Sequence, residues 1–360
     1  MSMDWFAQQL LTWFDRHGRK HLPWQRDRSA YRVWLSEIML QQTQVATVIP
    51  YFERFIRRFP TVQDLAEAPE DDVMQLWAGL GYYARARNLH ACARHVNQQL
   101  SGEFPRTVEA LASLPGIGRS TAGAIVAQAY NRRAVILDGN VKRVLSRYDM
   151  VPGWPGKSVV QKALWTLAEG LTPEDRAADY TQAIMDLGSL ICRRSRPQCD
   201  ECPVRERCKA RLNNVIAQYP EKKPRTRLPV REVHLLLCFQ EDHERALLLE
   251  KRPPSGIWGG LWSLPQCETE KDPAAMIAAT HGLEVIRVKE VDSMTHRFTH
   301  FALHIRPLWL QVRQGQELIK DSSACWCPSH TVQDYGMPKP VSKLVNQFFE
   351  AGRTQLNVNA

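Results

Sequence analysis

Apolar residues recur at spacings of three and four over residues 62–78, 84–100, 107–113, 119–130, 139–149, 157–170 and 177–191. That is the period of helices with one buried face. Pro, Gly and Asp punctuation (EFP, LPGIG, VPGWPG, TPED) separates these stretches, and no repeat of fixed period runs through them. The first twenty residues, MSMDWFAQQLLTWFDRHGRK, read as an amphipathic helix. Asp4 and Asp15 break their apolar face, so they do not form a signal peptide. No apolar run approaches the roughly 20 residues of a membrane span.

The period changes after QYPEKKPRTRLP, residues 218–229, a linker with three prolines, four basic residues and little apolar content. EVHLLLCF and RALLLEKR, joined by QEDHE, predict two strands of a hairpin. RVKEVDSM and FALHIRPLWL predict further strands, whereas PAAMIAATHG (273–282) and SKLVNQFF (342–349) predict helices. The expected organisation is a mainly α domain over 1–217, the linker over 218–229, an α+β domain over 230–352 and a disordered tail over 353–360.

Charge sharpens this division. The net charge is +9, and residues 1–225 carry all of it, with 32 basic and 23 acidic residues. Residues 226–360 are balanced at 15 of each. A basic domain beside a neutral one suggests a polyanionic partner for the first. The nine cysteines belong in a reducing compartment, where metal binding outranks disulfides. Four of them, Cys192, Cys199, Cys202 and Cys208, fall within 17 residues and are interleaved with five arginines. Four thiolates on such short loops can close on zinc or on an iron–sulfur cluster, and spacing alone does not separate the two. Cys92, Cys238, Cys267, Cys325 and Cys327 read as buried core residues.

Three other stretches carry candidate chemistry. In LPGIGRSTAGAI, Gly116 and Gly118 turn the chain into a helix whose exposed N–H groups can hold a phosphate. In YRVWLSEIMLQQTQVATVIP, Glu37 has Val33, Trp34, Leu40 and Gln41 as its helical neighbours, with no basic partner in local reach. A carboxyl so placed either pairs with an arginine distant in sequence or is desolvated, with a raised pKa, and can remain a proton donor. In AVILDGNVKRVL, a strand-like run ends at Asp138. That residue suits a helix N-cap, and Asn140 could hold a water beside it.

The pieces WLSEIMLQQTQVATVIPYFERF, GLGYYARARNLH, LPGIGRSTAGAI, ILDGNVKRVL, YTQAIMDLGSLIC and the four-cysteine loop occur in one order along the chain. Together they resemble the helix-hairpin-helix, iron–sulfur DNA glycosylases, and within them the MutY-type adenine DNA glycosylases. The resemblance covers essentially the whole chain. It implies two helical lobes that grip DNA across a cleft, and a [4Fe–4S] cluster on the four cysteines. That cluster would pin a loop whose Arg193, Arg194, Arg196, Arg205 and Arg207 face phosphates. It also implies monofunctional removal of adenine mispaired with 8-oxoguanine or guanine, leaving an abasic site. Glu37 would protonate adenine at N7, Asp138 would stabilise the oxocarbenium-like sugar, and Asn140 would help position water. Trp24 and Gln182 match positions lining the adenine pocket. Gln42 and Tyr82 match positions that wedge into the duplex. Ser120 stands where endonuclease III-type relatives carry a Schiff-base lysine, which argues against the alternative of a bifunctional glycosylase-lyase.

RPPSGIWGGLWSLPQ resembles the core of Nudix hydrolases. The helix PAAMIAATHG nevertheless lacks the carboxylates that hold Mg²⁺, so pyrophosphate hydrolysis is not expected. The resemblance implies an 8-oxoguanine reader instead, with Phe298, Thr299 and His300 in its recognition loop. Serine is the more usual residue at the middle position. The implied partners are double-stranded DNA with A·8-oxoG or A·G mispairs and other repair proteins. The chain is expected to be monomeric, without a membrane, cytoplasmic and nucleoid-associated in a bacterial cell.

Overall fold

The computed structural model describes residues 5–224, 228–240, 246–253, 256–298, 300–314 and 323–356. Its Cα packing forms two units, Met1–Ala68 with Arg87–Arg225 and Pro69–Ala86 with Thr226–Ala360. Pro69–Ala86, which lies inside the stretch 1–217 read from sequence as one domain, is thus grouped with the C-terminal residues. Pro69–Ala86 packs with the C-terminal residues because specific groups tie it there. Lys251 pairs with Asp71 at 2.5 Å, Gln75 Nε2 donates to the Gln333 carbonyl, and the Tyr83 hydroxyl donates to the Met337 carbonyl.

The helices through the cysteine loop, in chain order, are α1 (Trp5–His17), α2 (Pro23–Arg26), α3 (Ala30–Leu40), α4 (Val45–Arg58), α5 (Val62–Glu67), α6 (Glu70–Trp77), α7 (Ala84–Gln99), α8 (Val108–Ala112), α9 (Arg119–Tyr130), α10 (Gly139–Tyr148), α11 (Ser158–Leu171), α12 (Ala177–Asp186) and α13 (Lys209–Leu212). The predicted helix over 62–78 is two helices. Pro69 offers no N–H and pushes Ala68 to an extended ψ of 146°, which ends α5. The predicted 177–191 helix stops at Asp186 and widens into a single π turn, Leu187–Ile191. The strand-like run Ala134–Leu137 joins no sheet among the described residues.

In the first unit, Phe6, Leu10 and Phe14 of α1 pack with Leu145, Leu164 and Ala183 from α10, α11 and α12 in a fully buried cluster. Helices α3 and α9 pack together. The second unit is a mixed sheet of β1 (Val230–Phe239), β2 (Ala246–Lys251), β3 (Trp262–Ser263), β4 (Gln266–Cys267), β5 (Leu283–Glu290), β6 (Met294–Arg297), β7 (Ala302–Gln314) and β8 (Ala324–Pro328). Its strand order is β3-β2-β1-β7-β5. The predicted hairpin strands β1 and β2 are antiparallel neighbours. β1 also runs parallel to β7 in a long register from Val230↔Ala302 to Phe239↔Gln311. Helices α14 (Pro273–His281) and α15 (Lys339–Leu356) fall on the two predicted helical stretches. α15 runs to Leu356, and residues 357–360 of the tail expected over 353–360 lie outside the described set. No described helix is long and apolar enough to cross a membrane.

Candidate active site

Ser29 caps α3, accepting the N–H of Arg32, and the helix buries Val33, Trp34 and Ile38 around Glu37. No ion pair among the described residues involves Glu37. Its Oε1 accepts one hydrogen bond, from Gln128 Nε2 of α9 at 3.2 Å. Burial, and then the nearby charge of Asp138, push its pKa up to about 7, with the Gln128 bond opposing the shift. The residue as a whole is half-buried.

Asp138 is the N-cap of α10. Its Oδ1 accepts the Val141 N–H at 2.7 Å, and its Oδ2 accepts Asn140 Nδ2 at 3.2 Å. Burial raises its pKa, while these donors and the charge of Arg143 oppose the rise. The two carboxyls thus differ in their stabilisation as anions. Asp138 has backbone donors and a guanidinium, whereas Glu37 has one amide. When one proton is shared between neighbouring acids, it rests on Glu37. Ser120 of α9 fixes the approach to Asp138, its hydroxyl accepting the Leu137 N–H at 2.9 Å. Gly188 is required here, because a Cβ on it would meet Asn140 Cβ at 2.6 Å.

A buried amide network reaches Glu37 from the other side. Gln25, Gln128 and Gln182 are 7 %, 4 % and 4 % exposed, and Asp186 is fully buried. Gln182 Nε2 donates to Asp186 Oδ1 at 2.7 Å. Gln25 Nε2 donates to Gln182 Oε1 and to Gln128 Oε1, each at 2.7 Å. Arg19 closes the far end with donations to both oxygens of Asp186. Gln182, expected in the adenine pocket, therefore belongs to the same network as Glu37. Trp24 adjoins Gln25 in α2, but it is 3 % exposed and packs edge-on against Phe52.

Cys192, Cys199, Cys202 and Cys208 line one cavity with Arg147, Ile191 and Val204. All four thiols are free. Among the described residues no three His, Cys, Asp or Glu side chains close on a single metal ion; the four thiols stand around a space instead. Burial raises the Cys202 thiol to about 12 and raises Cys199 and Cys208, with the other thiols adding to the rise. A positively charged guest would relieve that opposition to thiolates. Four cysteines lining one cavity match the donor chemistry of a zinc or iron–sulfur site. Arg147, 4 % exposed, braces the loop by donating to the carbonyls of Arg193, Arg194 and Tyr219. Arg143 donates to the Cys192 and Gly188 carbonyls and to Asn140 Oδ1. Arg193, Arg194, Arg196, Arg205 and Arg207 are all exposed. Of these, Arg207 lies over the Trp5 ring and Arg205 donates to the Asp200 carbonyl.

The predicted hairpin is present as α8, a turn and α9. Gly116 sits at φ 74°, and a Cβ there would meet Asn88 Cβ at 2.7 Å, so this position demands glycine. Gly118 is the N-cap of α9 with open space beside it. Gln42 has φ 58° and Tyr82 φ 51°, left-handed values that cost a non-glycine residue energy. Both side chains are exposed, and Tyr82 belongs to the second unit. In that unit Phe298 stacks on Phe301 at 4.5 Å and meets His296 edge-on at 4.6 Å. His300 is exposed beside Phe301. Thr299 lies outside the described residues.

Sequence reasoning missed Arg19, Gln25, Gln128, Arg143, Arg147 and Asp186. The signal for three of them was visible: Gln128 lies in the apolar run TAGAIVAQAY, Asp186 lies in AIMDLGSLI, and Gln25 follows a buried tryptophan. Polar residues in such company need partners.

Residues 35–169 match the family model of the HhH-GPD superfamily base excision DNA repair proteins, and residues 235–347 match the NUDIX domain. The adenine DNA glycosylase of Buchnera aphidicola subsp. Baizongia pistaciae is 37% identical over 342 residues, 95% of this chain and 96% of that protein. The adenine DNA glycosylase of Mus musculus is 35% identical over 380 residues, 89% and 73% of the two chains. Among solved structures, a thermostable thymine-DNA glycosylase superposes with a TM-score of 0.51 at 28% identity, covering 58% of this chain and 95% of its own. By the extent of these matches and the domains they span, the chain belongs to the adenine DNA glycosylase family, DNA N-glycosylases built from an HhH-GPD domain and a Nudix-like domain.

Proposed function

We propose that the chain releases adenine, mispaired with 8-oxoguanine or guanine, from double-stranded DNA by monofunctional hydrolysis of the N-glycosidic bond. The observation that carries this reading is the pair formed by Glu37 and Asp138. One is an acid held protonated to about pH 7, and the other is a carboxylate fixed by its own helix cap.

Adenine leaves poorly as an anion. Glu37 protonates N7 of the extruded base, and the C1′–N9 bond then breaks with its electron pair going to neutral adenine. The sugar is left with oxocarbenium character, which the Asp138 carboxylate stabilises. Asn140 holds the attacking water beside Asp138; the water supplies the hydroxyl of the abasic sugar, and its proton restores the acid. Ser120 supports the monofunctional outcome, because a hydroxyl occupied by the Leu137 N–H forms no imine.

The finer assignments rest on the sequence resemblance and on placement. Trp24 and Gln182 line the pocket, and Gln42 and Tyr82 enter the duplex. The hairpin glycines Gly116 and Gly118 open the end of α9 to a phosphate. Phe298, Thr299 and His300 read 8-oxoguanine on the opposite strand. Cys192, Cys199, Cys202 and Cys208 hold a [4Fe–4S] cluster, which when bound supplies a cross-link for a loop too short to have its own core. Arg193, Arg194 and Arg196 are then carried toward the DNA backbone.

The test is single-turnover incubation with duplexes bearing A·8-oxoG, A·G, A·T or thymine glycol, with and without alkali. Breaks in the A strand that need alkali, fastest for A·8-oxoG and slowest for A·T, are expected. Nicking without alkali through a borohydride-trappable imine would instead support the lyase alternative.

A further inference from the structure

The amides between Asp186 and Glu37 have only one self-consistent polarity. Asp186, buried and bound to Arg19 at 2.7 Å, accepts hydrogen bonds and donates none. It therefore takes Gln182 Nε2 and turns Gln182 Oε1 away from itself. Facing that oxygen, Gln25 must present its nitrogen, whose second hydrogen goes to Gln128 Oε1. With its oxygen so engaged, Gln128 has only its nitrogen to offer Glu37 Oε1. Reversing any one amide would set two donors or two acceptors against each other at 2.7 Å in a buried site, leaving buried polar groups unbonded.

We propose that Gln128 is a positioning residue for the acid: it occupies Glu37 Oε1 so that the proton rides on Oε2, and its orientation is dictated from Asp186 through Gln182 and Gln25. This rests on the role proposed for Glu37 and extends it. The acid is not merely desolvated; one of its oxygens is reserved and the other presented, by a chain of neutral amides anchored on an ion pair. The path runs through α12, α2 and α9 to α3, so amide orientation in one helix sets proton placement in another.

Among the charged groups on the elements around Glu37, Asp138 acts on it directly. Arg26 of α2, Glu53, Arg54, Arg57 and Arg58 of α4 and Arg119 of α9 are exposed, and Arg32 of α3 is half-buried and donates to the Pro23 carbonyl. Among these neighbours only the Gln128 bond opposes the rise in the Glu37 pKa. Removing that donor must make the proton harder to lose.

The experiment uses the full chain with ¹³C-carboxyl-labelled glutamate. The Glu37 resonance is assigned by its disappearance in Glu37→Gln and titrated by NMR in wild type, Gln128→Met and Gln25→Met. Both methionine variants keep side-chain volume and remove the amide, and thermal melts establish that they fold. Gln128→Met is expected to move the Glu37 midpoint up by roughly half to one pH unit. Gln25→Met is expected to move it the same way by less, because Gln128 loses only its orienting partner. The alkaline limb of adenine release from an A·G duplex should follow both shifts. A midpoint that stays in place or moves down in the folded variants overturns the relay, whatever the rate does, because loss of packing alone lowers the rate without moving the titration. Gln25→Met decides the matter by itself if Gln128→Met does not fold. The titration needs no turnover: a wild-type protein inactive on adenine would sink the proposed function and leave the relay to be judged by its own readout.

Discussion

The two units bury their polar groups very differently. Among the described residues the first buries Gln25, Ser36, His90, Gln128, Ser146, Arg147, Thr172, Thr181, Gln182 and Asp186, whereas the second buries Ser263 and His281. A buried polar group costs stability unless it is bonded. The first unit offsets that cost with hydrogen bonds in two places, the amide network ending at Glu37 and the Arg147 brace of the cysteine loop. The second unit has a Nudix-like sheet, but its α14, PAAMIAATH, offers no carboxylate along the helix. There buried His281 meets half-buried Glu250 at 2.6 Å, which ties helix to strand. The comparison teaches where to look for chemistry: a family's fold is present in both halves, but a desolvated, connected polar set is present in one.

The comparison breaks most visibly at Glu37. Glu37→Gln is expected to lower the single-turnover rate of adenine release by about 10²–10⁴-fold, the usual worth of a positioned general acid. Asp138→Asn is expected to lose about 10²–10³-fold by weakening stabilisation of the sugar cation. Binding to the mispaired duplex should persist in both, as gel shift would show.

The same Glu37→Gln substitution should make the protein more stable at alkaline pH. Folded Glu37 keeps its proton up to about pH 7, while an unfolded glutamate loses it near 4.5. The unfolded state therefore binds fewer protons between these values, and stability falls as pH rises through that window. Glu37→Gln escapes the loss, which is worth at most about 3 kcal/mol. Its Tm should exceed wild type by several degrees at about pH 8 and match it at about pH 4.

Arg147→Met should act on the other polar set. Removing a buried guanidinium orphans the carbonyls of Arg193, Arg194 and Tyr219, at a cost of about 2–4 kcal/mol. Faster proteolysis within residues 192–208 would reveal it. A gentler change follows at the surface. Replacing Arg193, Arg194 and Arg196 by alanine should flatten the dependence of DNA affinity on salt by roughly 0.9 in log–log slope for each phosphate left without its arginine, without moving Tm. The smallest expected effect is in the second unit: nucleoside triphosphates with Mg²⁺ should be hydrolysed no faster than in buffer, which follows from the absence of carboxylates on α14.

Much of this was legible in the sequence. Glu37 stood out because its helical neighbours are apolar and uncharged, and Asp138 because an acid before Gly-Asn opens a helix. The helix-hairpin-helix and the two predicted strands of the second domain were also readable, since periodicity and turn residues are local. The rest was not local. Gln25 lies 103 residues from Gln128 and 157 from Gln182; each can be suspected of needing a partner, but which partner is a matter of tertiary packing. The regrouping of Pro69–Ala86 depends on side chains such as Asp71 and Gln75, whose partners lie far along the chain. The parallel pairing of β1 with β7 is likewise long-range. The split at Pro69 was readable in principle, because proline restricts the residue before it, but an apolar period that runs on across the break concealed it.

The most direct test is the pH dependence of adenine release under single turnover on an A·G duplex. If Glu37 delivers its own proton, the rate should be steady on the acid side and fall about tenfold per pH unit above a midpoint near 7. A rate that stays level to about pH 9 in wild type would contradict the account.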